Sequence, residues 1–264
     1  MLNDSQLAQV RASLFAGHYN LLLGSGASMD STSHGKGLLS AGQLTEALCK
    51  LKRVSPSTPL SRVSLLLTPN EIEEHLTKPY SGCKPGLTVK RITGFVWKSI
   101  YTFNIDDSLE AAYDSSSRRR QRAESFNFDS SYRTAANKAY VPIVHLHGYV
   151  NESDKGYVFS ISEYSRVTRG LNPWMHVLSE LLASEPFIVA GTSLNETDLE
   201  YYLSARTDTS LRTNRGPSIL VEPYPDAVTE NLCARHGFIL IKATLSEFLN
   251  WLIGRVGQPP TVAQ

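Results

Sequence analysis

The stretch Leu21-Leu22-Leu23-Gly24-Ser25-Gly26-Ala27-Ser28 leads from three leucines directly into a turn of small residues. A short apolar run without alternation is typical of a strand that is buried on both faces in a parallel sheet. Gly24 and Gly26 have no Cβ, so the backbone can turn sharply there and approach a ligand closely. The stretch therefore predicts a buried strand followed by a turn whose free N–H groups point at a diphosphate.

This turn also has a simpler explanation. It lacks the third glycine of the Gly-x-Gly-x-x-Gly pattern, and a plain tight connection after a strand explains two glycines equally well. A binding role for the turn therefore depends on what the rest of the chain places beside it.

The composition is that of a packed globular protein without a strong overall charge. Of the 264 residues, 41% are hydrophobic, and 26 Lys and Arg against 25 Asp and Glu leave a net charge of +1. This balance gives no global field for nucleic acid or an anionic membrane, so neither is expected as a partner. The three cysteines are scattered without a Cys-x-x-Cys pair, which argues against a disulfide framework and a thiolate zinc site. The absence of a signal peptide and of an apolar stretch of ~20 residues predicts a soluble cytoplasmic protein.

Alternating helical and strand patterns predict the fold class. Helical spacing occurs over residues 4–16, 43–52, from about 107 to 113, 171–182, 195–203, 226–235 and 245–256, and runs typical of strands cover 18–23, 97–102, 141–147, 158–161, 187–190, 219–221 and 238–241. Because parallel strands need crossover connections, this rhythm predicts an α/β architecture, a Rossmann-like doubly wound parallel sheet with helices on both faces. Residues 1–256 are expected to form a single domain, and 257–264 a linker-like tail of the kind that precedes a further domain.

Three segments carry weaker signals. Residues 29–42 are rich in Ser, Gly and Lys and are expected to form a mobile loop that acts as a lid. Asn70 and Glu73 resemble a capping box, which predicts one short helix within a proline-rich region. Residues 114–138 are polar and predict an exposed excursion, and the arginine run at 118–122 is either a solvated loop or a docking site for a phosphate-rich partner.

Four polar segments each follow an apolar run, at the point where the predicted strand ends. They are Gly24-Ser25-Gly26-Ala27-Ser28, Thr102-Phe103-Asn104-Ile105-Asp106, His145-Leu146-His147-Gly148 and Gly191-Thr192-Ser193-Leu194-Asn195. In an open α/β sheet the ligand crevice lies outside the carboxyl ends of the strands. Four such segments in one chain therefore predict that their polar side chains converge on a single site.

The second and third segments also have purely structural explanations. Asn104 and Asp106 either cap the following helix, or fix a ribose hydroxyl or a water and accept from a carboxamide N–H. His145 and His147 lie two residues apart on a strand and so point to the same face. There they chelate a metal, supply a general base, or are core histidines held by a backbone carbonyl. The core explanation suits His145 better than His147, which precedes the permissive Gly148.

Further candidates follow the strands nearer the end of the chain. Thr192 and Ser193 offer hydroxyl groups near the positive end of a helix that Asn195 caps. Glu222 either holds an adenosine ribose diol, as acidic residues do in dinucleotide folds, or is an exposed loop residue.

The four segments together resemble a known family. In order, they resemble the glycine-rich, Thr-x-Asn-x-Asp, His-Gly and Gly-Thr-Ser motifs of the sirtuins, over roughly residues 20–222. In particular, the chain looks like the sirtuin-like domains of bacterial antiphage defence proteins, which hydrolyse NAD. The resemblance implies catalytic roles for His147, Asn104 and Asp106, and the cofactor-binding candidates are Gly24, Ser25, Gly26, Ala27, Ser28, Thr102, Phe103, Gly191, Thr192, Ser193 and Glu222.

The resemblance also implies how these residues act. The glycine-rich turn would cradle the diphosphate of NAD, and Thr192 and Ser193 would reach phosphate and ribose. Asn104 would orient the nicotinamide ribose and the attacking water, Asp106 would hold the carboxamide, and His147 would act as the base. For the predicted lid, the candidates for cofactor contact are Ser28, already named above, and His34.

Two departures from the family pattern bear on the reaction. Protein-deacylating sirtuins carry four zinc-binding cysteines in a small insert, which three cysteines cannot supply, so no metal and no zinc-ribbon subdomain are expected. Phe103 replaces the usual glutamine of Thr-Gln-Asn. The resemblance therefore implies an NAD hydrolase that releases nicotinamide and ADP-ribose and acts as a defence effector by depleting NAD.

Other functions and partners stay open at this point. The alternatives are an NAD-dependent protein deacylase or ADP-ribosyltransferase, and a non-catalytic module that senses NAD or ADP-ribose. The resemblance further implies a homo-oligomer, and the linker-like tail suggests an additional sensor or NTPase domain, or a partner protein, that triggers the activity.

Overall fold

The chain folds around a parallel sheet, as the apolar runs predict. The structure is a computed structural model and describes residues 2–131, 137–159, 163, 173–192, 203, 206 and 215–258. Within them the strands are β1 Asn20–Leu23, β2 Thr32–Ser33, β3 Lys36–Gly37, β4 Cys83–Lys84, β5 Ser99–Thr102, β6 Arg122–Asn127, β7 Tyr140–His145, β8 Phe187–Ala190, β9 Ser218–Val221 and β10 Phe238–Ile241. Seven of these described strands pair in parallel in the order β10-β9-β8-β1-β5-β7-β6. This confirms the Rossmann-like α/β fold class.

Helices connect the strands. Among the described residues they are α1 Asp4–Phe15, α2 Ala41–Lys52, α3 Leu60–Val63, α4 Pro69–Ile72, α5 Leu87–Ile92, α6 Ser108–Ser115, α7 Pro173–Ser184, α8 Ala227–His236 and α9 Leu245–Val256. Short 3₁₀ or π-helical turns cover Ser25–Ala27, Ser64–Leu66, Glu73–Thr77, Lys78–Tyr80 and Val150–Lys155. The predicted helices that correspond to α1, α2, α6, α7, α8 and α9 are thereby confirmed, with ends that differ by one or two residues.

Helices cover both faces of the sheet because alternate residues of a strand point to opposite sides. On β1, Leu21 and Leu23 lie in one hydrophobic cluster with residues of α1, α5, α6 and α9. Leu22 lies in a second cluster with residues of α7 and α8. All three leucines are completely buried. Since each buried leucine contributes about 1.5–3 kcal/mol, a strand of four residues can form the centre of the sheet.

The strand β1 lies where the chain changes direction across the sheet. β5, β7 and β6 extend the sheet on one side of β1, whereas β8, β9 and β10 extend it on the other. Leu23, the last residue of β1, pairs with Thr102 of β5 and with Ala190 of β8. In folds of this kind, ligands bind in the crevice outside the carboxyl ends of the strands at such a switch point.

The segment predicted as a mobile lid, residues 29–42, is a folded hairpin. β2 pairs with β3 and with β4 in a small antiparallel sheet. The Ser31 Oγ accepts the backbone N–H of Gly86 at 3.0 Å, and the Ser33 hydroxyl donates to the Ser81 carbonyl at 2.7 Å. The expectation of a loose loop is corrected, because these buried serines tie the hairpin to the chain around β4.

The capping box in the proline-rich region is displaced from its predicted position. Thr68 and Glu71 form it, instead of Asn70 and Glu73, and α4 begins at Pro69. Proline favours the first position of a helix, where its missing N–H costs nothing, so the residue before it becomes the N-cap.

The region 114–138 contains the edge strand β6, which its sequence did not predict. β6 pairs in parallel with β7 over six residues. It was missed because its residues are mainly polar and half-buried, so it has no apolar run. Within the arginine run ahead of it, the Arg119 guanidinium donates to the carbonyl groups of Tyr113 and Asp114 at the end of α6, at 2.7 and 3.0 Å. Arg119 therefore acts as a helix C-cap.

Two predicted elements fall wholly or partly on residues that the structure does not describe. Leu203 is the one described residue of the predicted helix 195–203. In the predicted strand 158–161, Val158 and Phe159 are described and do not form a strand, whereas the remaining two residues lie outside the described ranges.

Candidate functional site

A cleft opens at the carboxyl edge of the sheet, next to β1, β5 and β7. Its volume of about 520 Å³ lies in the range of about 300–1,000 Å³ that is usual for small-molecule sites. Three of the four predicted segments contribute to its lining. The sequence-predicted residues that line it are Gly24, Ser25, Ser28, Phe103, Asn104, Asp106 and His147.

The glycine turn lies directly against the end of β8. The Gly24 N–H donates to the Ala190 carbonyl, and the Gly26 N–H donates to the Gly191 carbonyl, both at 3.0 Å. A Cβ on Gly24 would lie 2.5 Å from the Gly191 carbonyl oxygen and 2.6 Å from Thr192 Cβ. Packing therefore requires glycine at position 24, which confirms the simple structural explanation of the turn.

The turn does not present the row of free N–H groups that its sequence predicted. Besides the two glycine bonds, the Ala27 N–H donates to the Gly24 carbonyl at 3.0 Å and the Ser28 N–H to the Ser25 carbonyl at 3.3 Å. These bonds form because Ser25–Ala27 is a 3₁₀ turn. The expectation is corrected: the turn presents Gly24 and the partly exposed Ser25 to the cleft, and the Ser25 Oγ accepts the Ala41 N–H at 3.2 Å.

Ser28 joins the first two predicted segments through its side chain. The Asn104 Nδ2 donates to the Ser28 Oγ at 3.0 Å, and the Ser28 hydroxyl donates to Asp106 Oδ2 at 2.9 Å. The other oxygen, Asp106 Oδ1, accepts the Ser108 N–H at the start of α6 at 3.0 Å. Asp106 thus accepts an N–H at the start of α6, although the N-cap residue is Asp107, whose side chain makes no capping bond, whereas the Asn104 amide faces Ser28. The network fixes both side chains in the wall of the cleft.

Asp106 is almost completely buried where it meets the cleft. Burial raises the pKa of its carboxyl group above the ordinary value, although hydrogen bonds from Ser108 and Ser28 and the nearby His145 oppose that shift. A carboxyl group can accept an amide N–H when ionised and also donate when protonated. Asp106 can therefore pair with a neutral polar group that has both donors and acceptors, such as a carboxamide.

His147 lies between two phenylalanine rings in the cleft wall. Its ring centroid is 4.9 Å from that of Phe103 and 5.6 Å from that of Phe159. The His147 carbonyl accepts the Val158 N–H at 3.1 Å, which holds the segment leading to Phe159 beside it. The two rings flank a half-buried imidazole that belongs to the lining of the cleft.

His145 is completely buried and has different surroundings from His147. Its Nδ1 lies 2.9 Å from the Asn104 carbonyl oxygen, and its Nε2 lies 2.9 Å from Glu110 Oε1. Burial alone would lower the pKa of His145, but the charge and hydrogen bond of Glu110 and the Asn104 carbonyl raise it above 6.5. These contacts confirm the core-histidine alternative for His145.

Glu110 is the charged partner of His145 in this buried pair. Burial would raise the pKa of Glu110, but the His145 imidazolium and hydrogen bonds from His145 and Ser125 lower it below 4.5. The Ser125 hydroxyl donates to Glu110 Oε1 at 2.7 Å. Three elements, α6, β6 and β7, are therefore joined beside the Asn104 turn.

This pair should make stability depend on pH in two opposite ways. Folding lowers the pKa of Glu110, so its contribution is present above the unfolded pKa near 4.5 and is lost as pH falls through the folded value. Folding raises the pKa of His145, so its contribution is complete below the unfolded pKa near 6.5 and is lost as pH rises through the folded value. Urea denaturation of the wild type and Glu110→Gln should give the largest difference in unfolding free energy between pH 4.5 and pH 6.5.

The matched control is Glu230→Gln, which removes the exposed ion pair between Glu230 and Lys242. Exposed pairs contribute about 0–1 kcal/mol, so its effect on the free energy of unfolding should be small and nearly independent of pH. A Glu110→Gln effect that stays constant across the same pH range would contradict an ion pair at His145.

The remaining hydroxyl candidates lie beside the cleft. The buried Thr102 Oγ1 accepts the Asn104 N–H at 3.0 Å, so Thr102 shapes the turn instead of lining the cleft. Thr192 is buried next to Gly24, and its Oγ1 has no hydrogen-bond partner within the described part of the chain. Ser193 lies outside the described residues.

Five other sequence candidates are not part of the cleft lining. Gly26 and Ala27 belong to the turn itself, and Gly191 packs against it, since a Cβ on Gly191 would lie 2.6 Å from the Ala27 backbone nitrogen. Glu222 follows β9 at the same edge of the sheet and donates its N–H to the Ile241 carbonyl at 3.1 Å. His34 lies at the exposed turn of the hairpin with a φ of 48°, so its predicted cofactor contact is corrected.

The far wall of the cleft could not be predicted from the sequence. It is formed mainly by apolar residues from the hairpin exit, α2, α3, the turn before β4 and the segment after β7, namely Leu39, Leu44, Leu60, Tyr80 and Phe159. Leu44 and Leu48 at helical spacing on α2 were a signal for burial but not for a site. Glu110 carried no signal either, because a glutamate on an amphipathic helix is ordinarily exposed.

The described residues contain no group of three or more His, Cys, Asp or Glu side chains arranged to hold a metal ion. Cys49, Cys83 and Cys233 are each buried and lie on α2, β4 and α8, without a disulfide. None of the described helices combines the length and the apolar character needed to cross a membrane.

The fold and the cleft together define an α/β protein with a cleft at the switch point of a doubly wound sheet. The family model described as a SIR2-like domain matches residues 98–241. This match spans more than half of the 264 residues and includes Asn104, Asp106 and His147. The chain therefore belongs to the SIR2-like domain family.

Solved structures and curated proteins were also compared. The chain is similar to one described as the crystal structure of a Sir2 homolog–NAD complex, with 16% identity, a TM-score of 0.49, and coverage of 94% of this chain and 93% of that chain. No curated protein matches significantly. Membership of the family rests on the match over residues 98–241.

Proposed function

We propose that the cleft binds NAD and that the protein hydrolyses its nicotinamide glycosidic bond, giving nicotinamide and ADP-ribose. The observation that carries this proposal is the convergence of Asn104, Asp106 and His147 on one cleft of about 520 Å³ beside the glycine turn. Membership of the SIR2-like family supports it. In this proposal the glycine turn and the three polar side chains contact different parts of the dinucleotide.

The diphosphate is placed at the glycine turn in this proposal. Gly24 and Ser25 line this part of the cleft, where the Ser25 hydroxyl can donate to a phosphate oxygen. The buried Thr192 Oγ1, next to Gly24, has no hydrogen-bond partner among the described residues. Buried hydroxyl groups are normally hydrogen-bonded, so a phosphate or ribose oxygen is a suitable partner for Thr192.

The nicotinamide end is placed at Asn104, Asp106 and His147. Asp106 pairs with the carboxamide, and Asn104 orients the ribose and the attacking water. When the glycosidic bond breaks, nicotinamide leaves with the electron pair of that bond, and positive charge develops on the ribose. The water oxygen then bonds to the ribose C1′ while His147 accepts the proton of the water. Positioning the water beside the ribose is the main contribution of the site.

The surroundings of His147 support hydrolysis over transfer to a peptide. Phe103 and Phe159 flank the imidazole with ring centroids at 4.9 and 5.6 Å, which narrows the space beside it. A small water molecule fits beside these rings more easily than an acylated lysine chain. The scattered cysteines also cannot form the four-cysteine zinc insert of deacylating sirtuins.

Nicotinamide release separates this proposal from its alternatives. Purified protein is incubated with NAD, with and without an acylated peptide, and nicotinamide is followed by chromatography. Release without peptide is expected. Release that depends on the peptide would favour a deacylase, and saturable binding of NAD without turnover would favour a sensor module.

The cellular role that follows from this activity is a defence effector that depletes NAD. The resemblance of the four motifs to NAD-hydrolysing defence domains supports it. Induced expression in bacterial cells should lower total NAD, whereas expression of a His147→Asn variant should not. Unchanged NAD in cells that contain active enzyme would contradict this role.

A further inference from the structure

The buried pair of His145 and Glu110 has no part in the chemistry proposed above, although it touches the Asn104 turn. His145 is completely buried, and the Tyr149 ring stacks on it with a centroid distance of 4.2 Å. Its two ring nitrogens lie 2.9 Å from the Asn104 carbonyl oxygen and 2.9 Å from Glu110 Oε1. Both distances are those of good hydrogen bonds.

The partners of the imidazole determine its protonation. A backbone carbonyl can only accept, and an ionised carboxylate can only accept. Glu110 Oε1 already accepts the Ser125 hydroxyl at 2.7 Å, which favours its ionised form. With Glu110 ionised, two acceptors lie on opposite sides of the ring and both ring nitrogens carry protons, with Nδ1–H on Asn104 and Nε2–H on Glu110.

Asn104 is held from three directions. Its N–H donates to Thr102 Oγ1 at 3.0 Å, and its side-chain Nδ2 donates to Ser28 Oγ at 3.0 Å. Its carbonyl accepts from His145 at 2.9 Å. Among these three contacts, the one from His145 is charge-assisted and is therefore the strongest.

We propose that the His145–Glu110 ion pair positions Asn104, and that it sets the orientation of the Asn104 amide in the cleft. This inference rests on the proposed function, in which that amide orients the ribose and the water. His145 is a positioning residue in this account, because it acts through Asn104 and does not line the cleft. The pair links α6 and β6 to the reacting end of the cleft.

The groups around His145 indicate that the state of the pair changes with a single proton, the one that His145 and Glu110 share. Glu110 faces it from α6, Asp106 from the turn, and Tyr149 from the segment after β7, and Tyr113 lies near Glu110 on α6. Burial raises the pKa of both Tyr113 and Tyr149, so these phenols stay neutral. At high pH the His145 imidazolium loses one of its two ring protons. The Glu110 carboxylate and the Asn104 carbonyl then face an imidazole with one remaining N–H. Asn104 then loses either its charge-assisted bond or the bond altogether.

The test uses Glu110→Gln, which keeps the size of the side chain and removes its charge. A neutral partner lowers the pKa of His145, so the high-pH limb of the pH–kcat profile should move to lower pH. At neutral pH kcat should fall by about 10²-fold, the effect of a small misplacement of a reacting group. The affinity for NAD, measured by calorimetry with His147→Asn as the inactive background, should change little. Glu230→Gln is the matched control and should leave kcat, the high-pH limb of the pH–kcat profile and the affinity for NAD unchanged.

Nuclear magnetic resonance provides a readout that does not need turnover. In the wild type at pH 7, both ring nitrogens of His145 should carry protons, and the side-chain amide signal of Asn104 should shift as His145 titrates. In Glu110→Gln that shift should occur at lower pH. Ser125→Ala, which removes one donor to Glu110 but keeps its charge, should not move that shift to lower pH.

The outcomes distinguish this inference from the proposed function. If the wild type releases no nicotinamide, the proposed function fails, and the resonance experiment alone decides whether His145 positions Asn104. Asn104 signals that do not change across the titration of His145 would overturn the inference. So would a folded Glu110→Gln protein whose kcat and pH profile match those of the wild type.

Discussion

The variant His147→Asn should release nicotinamide from NAD about 10²–10⁴-fold more slowly than the wild type, which is the usual contribution of a general base. Asparagine keeps a polar side chain beside Phe103 and Phe159 but cannot accept a proton at neutral pH. Because the proposed diphosphate contacts at Gly24 are untouched, the affinity for NAD should stay close to that of the wild type. The effect is measured as initial rates of nicotinamide release, and affinity by calorimetry.

The same substitution at another histidine provides the control. His34 lies at the exposed turn of the hairpin with a positive φ, a conformation that asparagine tolerates well. His34→Asn should therefore leave both the rate and the affinity unchanged. Full activity of a folded His147→Asn protein would remove His147 from the mechanism.

Gly191→Ala should lower the free energy of unfolding by about 3 kcal/mol, or prevent folding. Gly191 has a φ of +70°, where a side chain costs about 1–2 kcal/mol. An added Cβ would also lie 2.6 Å from the Ala27 backbone nitrogen and 2.9 Å from the Gly24 carbonyl oxygen. Such overpacking costs a further ~1–3 kcal/mol, since the neighbours are backbone atoms that cannot rotate away. Urea denaturation measures the difference.

Gly35→Ala separates the cost of the positive φ from the cost of the close backbone contacts. Gly35 has a similar φ of +78°, but a Cβ there would meet no atom within 4 Å. This variant should therefore show only the cost of the backbone conformation, about 1–2 kcal/mol. Equal losses of stability in the two variants would show that the contact between the glycine turn and the end of β8 is loose.

Much of the fold could be predicted because its strands are short apolar runs between glycines, prolines and polar turns. β8 and β10 have the predicted bounds, and so does α9. β6 could not be predicted, because an edge strand with a half-exposed face lacks a continuous apolar run. The hairpin at β2 and β3 was mistaken for a mobile lid, because its order comes from hydrogen bonds to distant backbone groups.

The candidate site could likewise be predicted only in part. The meeting of Gly24, Asn104, Asp106 and His147 could be predicted, because the carboxyl ends of parallel strands share one edge of the sheet. Their individual roles stay predictions. Glu110 could not be assigned, since its pairing with His145 depends on how α6 packs against β7. The apolar far wall of the cleft likewise depends on tertiary packing of separate short helices.

A crystal structure of the His147→Asn variant with NAD tests the central claim most directly. The account predicts the diphosphate beside Gly24 and Ser25, the carboxamide within hydrogen-bond distance of Asp106, and the nicotinamide ribose beside Asn104. Binding of NAD outside this cleft, or in the reverse direction with adenine at Asp106, would contradict it.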